Sequence, residues 1–231
     1  MKVEIWCDLL SPLCYVGKQR FENALNKFEQ KDQVEVVWHS FQINTEIELV
    51  PGSSVDKNTA EQKGVPVAKR KEMMVNLSLA VKEPGIKFSL KNAFINNSLD
   101  AHRLLHFANK YGLQNQAREK LFSAFCVDGK NIRDIEILVQ VAQCIGLDAN
   151  EVRAMFSGDN YKQEVQQDQQ LAKQMGVTRL PFFVFNNKYT VSGAQSTEVF
   201  TQLLAKVWEE EKPVEEEFAP FGFCSLESGC F

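Results

Sequence analysis

The sequence predicts an α/β protein built on one small mixed sheet that a long helical segment interrupts. Alternating, β-branched runs at 3–7 and 34–38 enclose a segment whose apolar residues are spaced by three and four, a pattern typical of strand, helix and strand. Strand character returns only at 181–191, after a long segment of helical pattern. Because a strand–helix–strand unit makes a right-handed crossover, the first two strands are expected to be parallel.

The helical segment is predicted from apolar residues that recur on one face. They form one stripe within 104–111 and another within 135–142. Gly112, Gly146 and Gly158 follow such stretches, at positions where helices commonly end. A polar, turn-rich segment at 45–57 separates this block from the second strand and is expected to be a linker.

The last part of the chain predicts a hairpin followed by a helix. Asn186-Asn187 separates two short strand-like runs, which is a hairpin signal. Glutamates around Pro213 then mark the end of the final helix. We therefore expect a sheet domain from 1–50 and 160–212, a helical insertion at 51–159, and an acidic, cysteine-containing tail at 213–231.

Composition narrows the function before any motif is considered. The 231 residues carry 26 Lys and Arg against 30 Asp and Glu, a net charge of −4 without a basic stripe, so nucleic acid is not an expected partner. No apolar run reaches the roughly 18 residues of a membrane span. Acidic residues interrupt the N-terminus too early for a signal peptide, which predicts a cytoplasmic protein.

The segment most suggestive of chemistry is Ser11-Pro12-Leu13-Cys14, at the junction of the first strand and first helix. A helix N-terminus favours negative charge, and a thiol there ionises more readily. Proline suits the first helical turn because its missing N–H would have no partner there. The alternative is an ordinary turn that happens to contain a cysteine.

Residues 6–18 resemble the active-site segment of FrnE-like proteins of the DsbA family, which follows the pattern W-S-D-x-x-C-P-W-C-Y-I-G-K. The likeness continues in the same order at Trp38, Phe41, Gln42 and Asn44, and at 97–104, 176–185 and 191–195. It therefore spans nearly the whole chain, which makes it more specific than a short cysteine motif.

This resemblance implies a thioredoxin fold with a helical domain inserted after the second strand. It also implies a thiol–disulfide oxidoreductase acting on protein or small-molecule thiols and disulfides, with Ser11 and Cys14 as catalytic positions. The family further implies that Pro181 is cis and faces the 11–14 segment. The expected substrate-binding residues are Pro12, Leu13, Leu180, Pro181 and His102. No metal and no obligatory cofactor are expected.

One departure from the family bears directly on mechanism. Ser11 occupies the position of the family's nucleophilic cysteine, and Cys7 stands where the family has serine. A serine hydroxyl cannot form the mixed disulfide of a dithiol cycle. Either Ser11 is an engineered substitution, or another thiol, from Cys7, Cys224 or Cys230, completes the cycle.

Two further hypotheses stand beside the oxidoreductase. Related kappa-class glutathione transferases and 2-hydroxychromene-2-carboxylate isomerases carry a serine at this position, whose hydroxyl donates a hydrogen bond to the thiolate of glutathione. By that resemblance the chain would be a glutathione-dependent isomerase or transferase. The third hypothesis is a non-catalytic binding module. The oligomeric state is left open.

For three other side chains the sequence predicts a structural position and no role in the site. Cys126 and Cys144 lie among apolar residues in helical segments and are expected to be core thiols. Lys18, one turn into the first helix, is expected to be solvated.

Overall fold

The computed structural model describes residues 1–43 and 97–211. The predicted linker at 45–57, the insertion before residue 97, and the tail with Cys224 and Cys230 lie outside the described residues. No helix in the part described is long and apolar enough to cross a membrane.

The described chain alternates strands and helices in the predicted order. The strands are β1 (Lys2–Cys7), β2 (Glu35–Ser40), β3 (Phe182–Phe185) and β4 (Tyr189–Ser192). The helices are α1 (Pro12–Lys27), α2 (Leu99–Asn109), α3 (Gln114–Phe122), α4 (Ile135–Cys144), α5 (Ala149–Ser157), α6 (Lys162–Gln174) and α7 (Thr197–Glu211). A short 3₁₀ turn precedes β2, and a π-helical turn follows α3 (Lys31–Gln33 and Ser123–Val127).

The four strands form one mixed sheet in the order β2-β1-β3-β4. Strand β1 is parallel to β2, as predicted from the strand–helix–strand pattern, and antiparallel to β3. The β3–β4 hairpin is also confirmed. Asn186 and Asn187 adopt left-handed φ values of 47° and 54° at its turn, which asparagine tolerates better than most residues.

Helices cover both faces of the sheet. On one face, Phe21 of α1 packs its ring against those of Phe183, Phe185 and Phe200, with centroids 5.5 to 6.3 Å apart. Aromatic contacts of this kind bury much apolar area, which explains why α1 and α7 lie together on that face. On the other face, Trp6 belongs to a separate apolar cluster that includes Ala172 of α6.

A buried arginine holds the end of the inserted helices in place. The guanidinium of Arg103 on α2 donates to the carbonyl oxygens of Met155, Gly158 and Asn160 and to the carboxylate of Asp100. These carbonyls lie where α5 ends and α6 approaches. Arginine suits this role because its five donors are rigidly arranged and stay charged when buried.

The loop before β3 packs closely against α1. The Leu180–Pro181 peptide bond is cis, as the family resemblance implied. A Cβ atom added to Gly17 would lie 2.5 Å from the Cγ atom of Pro181 and 3.4 Å from the Cα atom of Ala194. Gly17 is therefore the residue that lets this loop approach the helix.

Replacing Gly17 by alanine is expected to destabilise the fold. The added methyl group must displace Pro181, which costs about 1–3 kcal/mol, and the better helix propensity of alanine offsets only part of this. Urea denaturation of the purified variant measures the change in the free energy of unfolding.

Gly158→Ala is the matched control, because the nearest atom to its added Cβ is 4.0 Å away and its φ is not positive. A Gly17→Ala protein as stable as the control would contradict the close approach of Pro181.

Candidate active site

The candidate site lies where β1 ends and α1 begins. Ser11 is the N-cap residue of α1, and its Oγ atom accepts a hydrogen bond of 3.3 Å from the backbone N–H of Cys14. Pro12 follows in the first helical turn, as expected for a residue without an N–H. Pro12 and Leu13 are half-buried. The side chain presented at the helix N-terminus is thus a hydroxyl.

Directly beneath this turn the structure brings two thiols together. Cys7, the last residue of β1, lies close enough to Cys14 in the first turn of α1 for the two thiols to influence each other's charge. The Sγ atom of Cys14 also accepts from the backbone N–H of Asp8 at 3.4 Å. Cys14 has no exposed surface, and Cys7 is 5% exposed. Burial, and next the neighbouring Cys14, raise the pKa of the Cys7 thiol well above its usual value.

A third buried thiol lies on the inserted helices. Cys126 is in the π-helical turn after α3, and burial followed by the charge of Cys14 raises its pKa. Its core position agrees with the sequence expectation. Cys144 does not: it is exposed, because it is the last residue of α4 and lies off the buried face formed by Leu138, Val139, Val141 and Ala142.

His102, an expected substrate-binding residue, is a buried side chain. It is 1% exposed and borders a small internal cavity, together with Cys7 and Arg118. Its Nε2 atom lies 3.7 Å from the Oδ1 atom of Asp8. Asp8 is itself buried, and its two carboxylate oxygens accept backbone N–H groups of Leu10 and Ile43 at 3.0 and 2.8 Å. Asp8 therefore fixes the backbone on both sides of the site.

Leu180 and Pro181 occupy the loop that contacts α1 at Gly17, on the helix that Ser11 caps. The contact of Pro181 lies at Gly17, and the expectation that Pro181 faces the 11–14 segment stays a prediction. Cys224 and Cys230 lie outside the described residues, so a contact between them and Cys14 stays a prediction.

Lys18 is buried instead of solvated, with 1% of its side chain exposed. Its Nζ atom lies 2.6 Å from the carboxylate of Glu22 and contacts that of Glu119 on α3. The expectation failed because the sequence gives no indication that α3 packs over this face of α1. Two carboxylates from two helices replace the water that an exposed lysine would bind.

Sequence reasoning also missed a cluster of polar side chains that joins the sheet to α6. The carboxylate of Asp168 contacts His39 at 2.8 Å, the backbone N–H of Ser40 at 2.7 Å and His106 at 3.3 Å. The ring of His39 stacks on Trp6 with centroids 4.4 Å apart, and its other nitrogen lies 3.1 Å from Glu4. No sequence motif connects these residues, since they come from two strands and two helices.

This cluster shifts two pKa values in opposite directions. Burial alone would raise the pKa of Asp168, but hydrogen bonds from His106, His39 and Ser40 outweigh it and hold the pKa well below 3.8. Burial alone would lower the pKa of His39, but its bonds to Asp168 and Glu4 raise it above 6.5. The charged forms of both side chains are therefore favoured.

We expect Asp168→Asn to lower the free energy of unfolding by about 2–3 kcal/mol near pH 6, because the half-buried His39 loses its charged partner. The stability that His39 contributes is fully present below its unfolded pKa of 6.5 and is lost as the pH rises through the higher folded pKa. Asp168 contributes above its unfolded pKa of 3.8, and this is lost only as the pH falls through the lower folded pKa. The destabilisation should therefore shrink as the pH rises from about 6.5 through the raised pKa of His39.

Urea denaturation across this pH range measures the effect. Asp159→Asn is the control, since Asp159 forms an exposed ion pair with Lys162 at the start of the same helix, and the free energy of unfolding should stay nearly unchanged. Equal effects of the two substitutions at every pH would contradict the assigned cluster.

Comparison with known proteins identifies the fold and the family. A solved structure of a probable DsbA oxidoreductase from Streptomyces coelicolor is 36% identical, with a TM-score of 0.79 over 93% of both chains. The uncharacterized protein YwbO of Bacillus subtilis is 25% identical over 88% of this chain and 95% of its own length. The structure of a 2-hydroxychromene-2-carboxylate isomerase, 16% identical, has a TM-score of 0.66 over 91% of this chain and 97% of its own, and shows the fold alone.

These similarities confirm the thioredoxin fold and the resemblance to the DsbA family. The relationship to the probable oxidoreductase, which is 36% identical, also confirms that the chain is an enzyme, as the resemblance implied. The profile of the DSBA-like thioredoxin domain matches residues 2–205. The chain therefore belongs to the DSBA-like thioredoxin domain family.

Proposed function

We propose that this protein is a thiol–disulfide oxidoreductase in which Cys7 and Cys14 form the redox-active pair. The observation that carries the proposal is the position of the Cys14 sulfur, which lies 3.4 Å from the backbone nitrogen of Asp8, the residue that follows Cys7, so that two buried thiols lie together beneath the N-terminus of α1. In the family pattern the pair lies within the turn, at the positions of Ser11 and Cys14. Here Cys7, at the end of the neighbouring strand, supplies the second thiol.

The pair has the groups that the reaction needs. The N–H of Asp8 donates to the sulfur of Cys14 and holds it beside the end of β1. Cys14 would attack a substrate disulfide to form a mixed disulfide and release one thiol. Cys7 would then displace the second thiol, leaving a Cys7–Cys14 disulfide. Two electrons and two protons pass from the pair to the substrate.

The burial of both sulfurs defines how a substrate must reach them. Because Cys14 has no exposed surface, a substrate can reach its sulfur only if residues around it move. The Leu180–Pro181 loop packs against the same helix and is the proposed neighbour of the bound disulfide. Protein and small-molecule disulfides are the proposed substrates. A reducing, cytoplasmic location is proposed as well, because thiols stay reduced there.

Mild oxidation of the full chain should produce a disulfide between Cys7 and Cys14. Peptide mapping by mass spectrometry under non-reducing conditions identifies the bonded cysteines. Cys7→Ala and Cys14→Ala should each abolish catalysed reduction of insulin, because either change removes half of the pair.

Cys126→Ala is the matched control, since Cys126 is also a buried thiol near α1, and this variant should keep the activity. Full activity of Cys7→Ala would contradict the proposal. So would a disulfide from Cys14 to Cys224 or Cys230 in place of Cys7.

A second candidate function is a glutathione-dependent isomerase or transferase. It is favoured by the hydroxyl of Ser11 at the helix N-terminus, above two thiols that solvent scarcely reaches. The Oγ atom accepts from the N–H of Cys14, which leaves its own proton free to be donated to a bound thiolate. In this case glutathione would be the cofactor, held without a covalent bond.

Ser11→Ala distinguishes the two candidates. Under the second, it should weaken glutathione binding by about 10-fold or more, because a hydrogen bond to a charged group is lost, and Ser11→Thr should restore it. Under the first, Ser11→Ala should keep insulin reduction after allowance for the lost helix cap, which costs about 1 kcal/mol of stability.

Calorimetric titration of the wild-type protein and both variants with glutathione measures this difference. Equal binding by wild type and Ser11→Ala would contradict the role given to the hydroxyl. If the wild-type protein neither reduces insulin nor binds glutathione, both enzyme candidates fail and the non-catalytic binding module is the hypothesis that remains.

A further inference from the structure

His102 is a buried polar side chain that the proposed reaction does not yet use. It is 1% exposed, and neither of its ring nitrogens has a hydrogen-bond partner among the described residues. Leaving such a group unpaired costs about 1–3 kcal/mol. A hydrogen-bond partner from outside the described side chains and backbone would therefore stabilise His102.

The cavity beside His102 has room for such a partner. It lies between the ends of β1 and β2 and helices α2 and α3, and it has a volume of about 10 Å³. This is about the space that the centre of a single water molecule needs. Its polar lining consists of the Cys7 thiol, Ser40, Gln114, Arg118 and the two histidines His39 and His102.

We propose that one water molecule in this cavity links His102 to Cys7, and that His102 accepts the proton of the Cys7 thiol. This inference rests on the proposed oxidoreductase function, because it concerns the second step of that reaction. Cys7 is the thiol that has to be deprotonated in a buried place, where its own ionisation is disfavoured.

The second step exchanges one sulfur–sulfur bond for another and moves one proton. The sulfur of Cys7 attacks the Cys14 sulfur of the mixed disulfide, and the electron pair of the broken bond leaves with the substrate thiolate. The proton of Cys7 passes through the water to His102. The resulting imidazolium lies 3.7 Å from the carboxylate oxygen of Asp8, which stabilises its charge. The proton later returns to solvent, where the substrate thiolate takes one up.

The other groups that face the cavity are less suited to accept this proton. Both nitrogens of His39 are engaged, with Asp168 and Glu4.

Arg118 has no acceptor atom. Its guanidinium stacks over Trp38 at 4.2 Å, and its charge lowers the pKa of Cys7 without removing the proton. Burial lowers the pKa of Arg118 only to about 10, so it stays charged at neutral pH.

The test follows the second step by itself. In a variant with Cys144, Cys224 and Cys230 replaced by serine, so that these thiols release no thiopyridone, dithiodipyridine should release a first thiopyridone as it reacts with Cys14, and a second only when Cys7 closes the disulfide. His102→Gln should slow the second phase by about 100-fold near pH 7, because an internal base is lost. Its rate should then rise about tenfold per pH unit as hydroxide takes over, whereas the wild-type rate should level off.

His106→Gln is the matched control. His106 lies one turn further along α2 and bonds to Ser40 and Asp168, and its replacement should leave the second phase and its pH profile as in the wild type. Thermal unfolding of each variant shows whether it is folded.

Nitrogen NMR of His102 in the reduced wild-type protein gives a readout that needs no variant. A neutral ring at neutral pH is expected, because a proton acceptor has to be unprotonated. A doubly protonated ring would overturn the inference, as would a His102→Gln protein with the wild-type rate and pH profile.

The two proposals fail in different ways. If the wild-type protein releases no second thiopyridone and forms no Cys7–Cys14 disulfide, the oxidoreductase function fails, and the role of His102 fails with it. If the disulfide forms at the same rate with or without His102, only the proton transfer is excluded.

Discussion

The position of the candidate site depends on the pairing of β1 along both of its edges. Because β2 bonds to one edge and β3 to the other, β1 has almost no freedom to shift along its axis. Its last residue is Cys7, so the pairing fixes one of the two thiols. Asp8 then anchors the chain through its two carboxylate oxygens before α1 begins. The second thiol, Cys14, is placed by the cap of that helix.

The sequence was sufficient for those parts of the fold that depend on local patterns. The alternation in β1 and β2 and the two asparagines of the hairpin are short-range signals, and each led to a correct element. The cis bond before Pro181 came from the family resemblance. The contact between Cys7 and Cys14 remained one alternative among several, because spacing in the chain does not say which way two side chains point.

The features that sequence reasoning missed all involve packing between distant segments. Lys18 is charged and reads as a surface residue until α3 supplies Glu119 above it. Asp168 belongs to a helix that is mostly polar, and its carboxylate is recruited by His39 and His106 from a strand and another helix. On an isolated helix Lys18 and Asp168 would lack these partners and would face water. Their roles appear only when the helices are docked on the sheet.

The pairing of β1 with β3 has a consequence for how the chain folds. The backbone N–H of Lys2 bonds to the side chain of Asn186, 184 positions away, whereas the helices between them are formed by contacts close in sequence. Contacts of such long separation are slow to form because the intervening chain must first be brought together. During synthesis β1 therefore cannot pair with β3 until most of the chain has been made. The two thiols at its end reach their final environment among the last parts of the molecule.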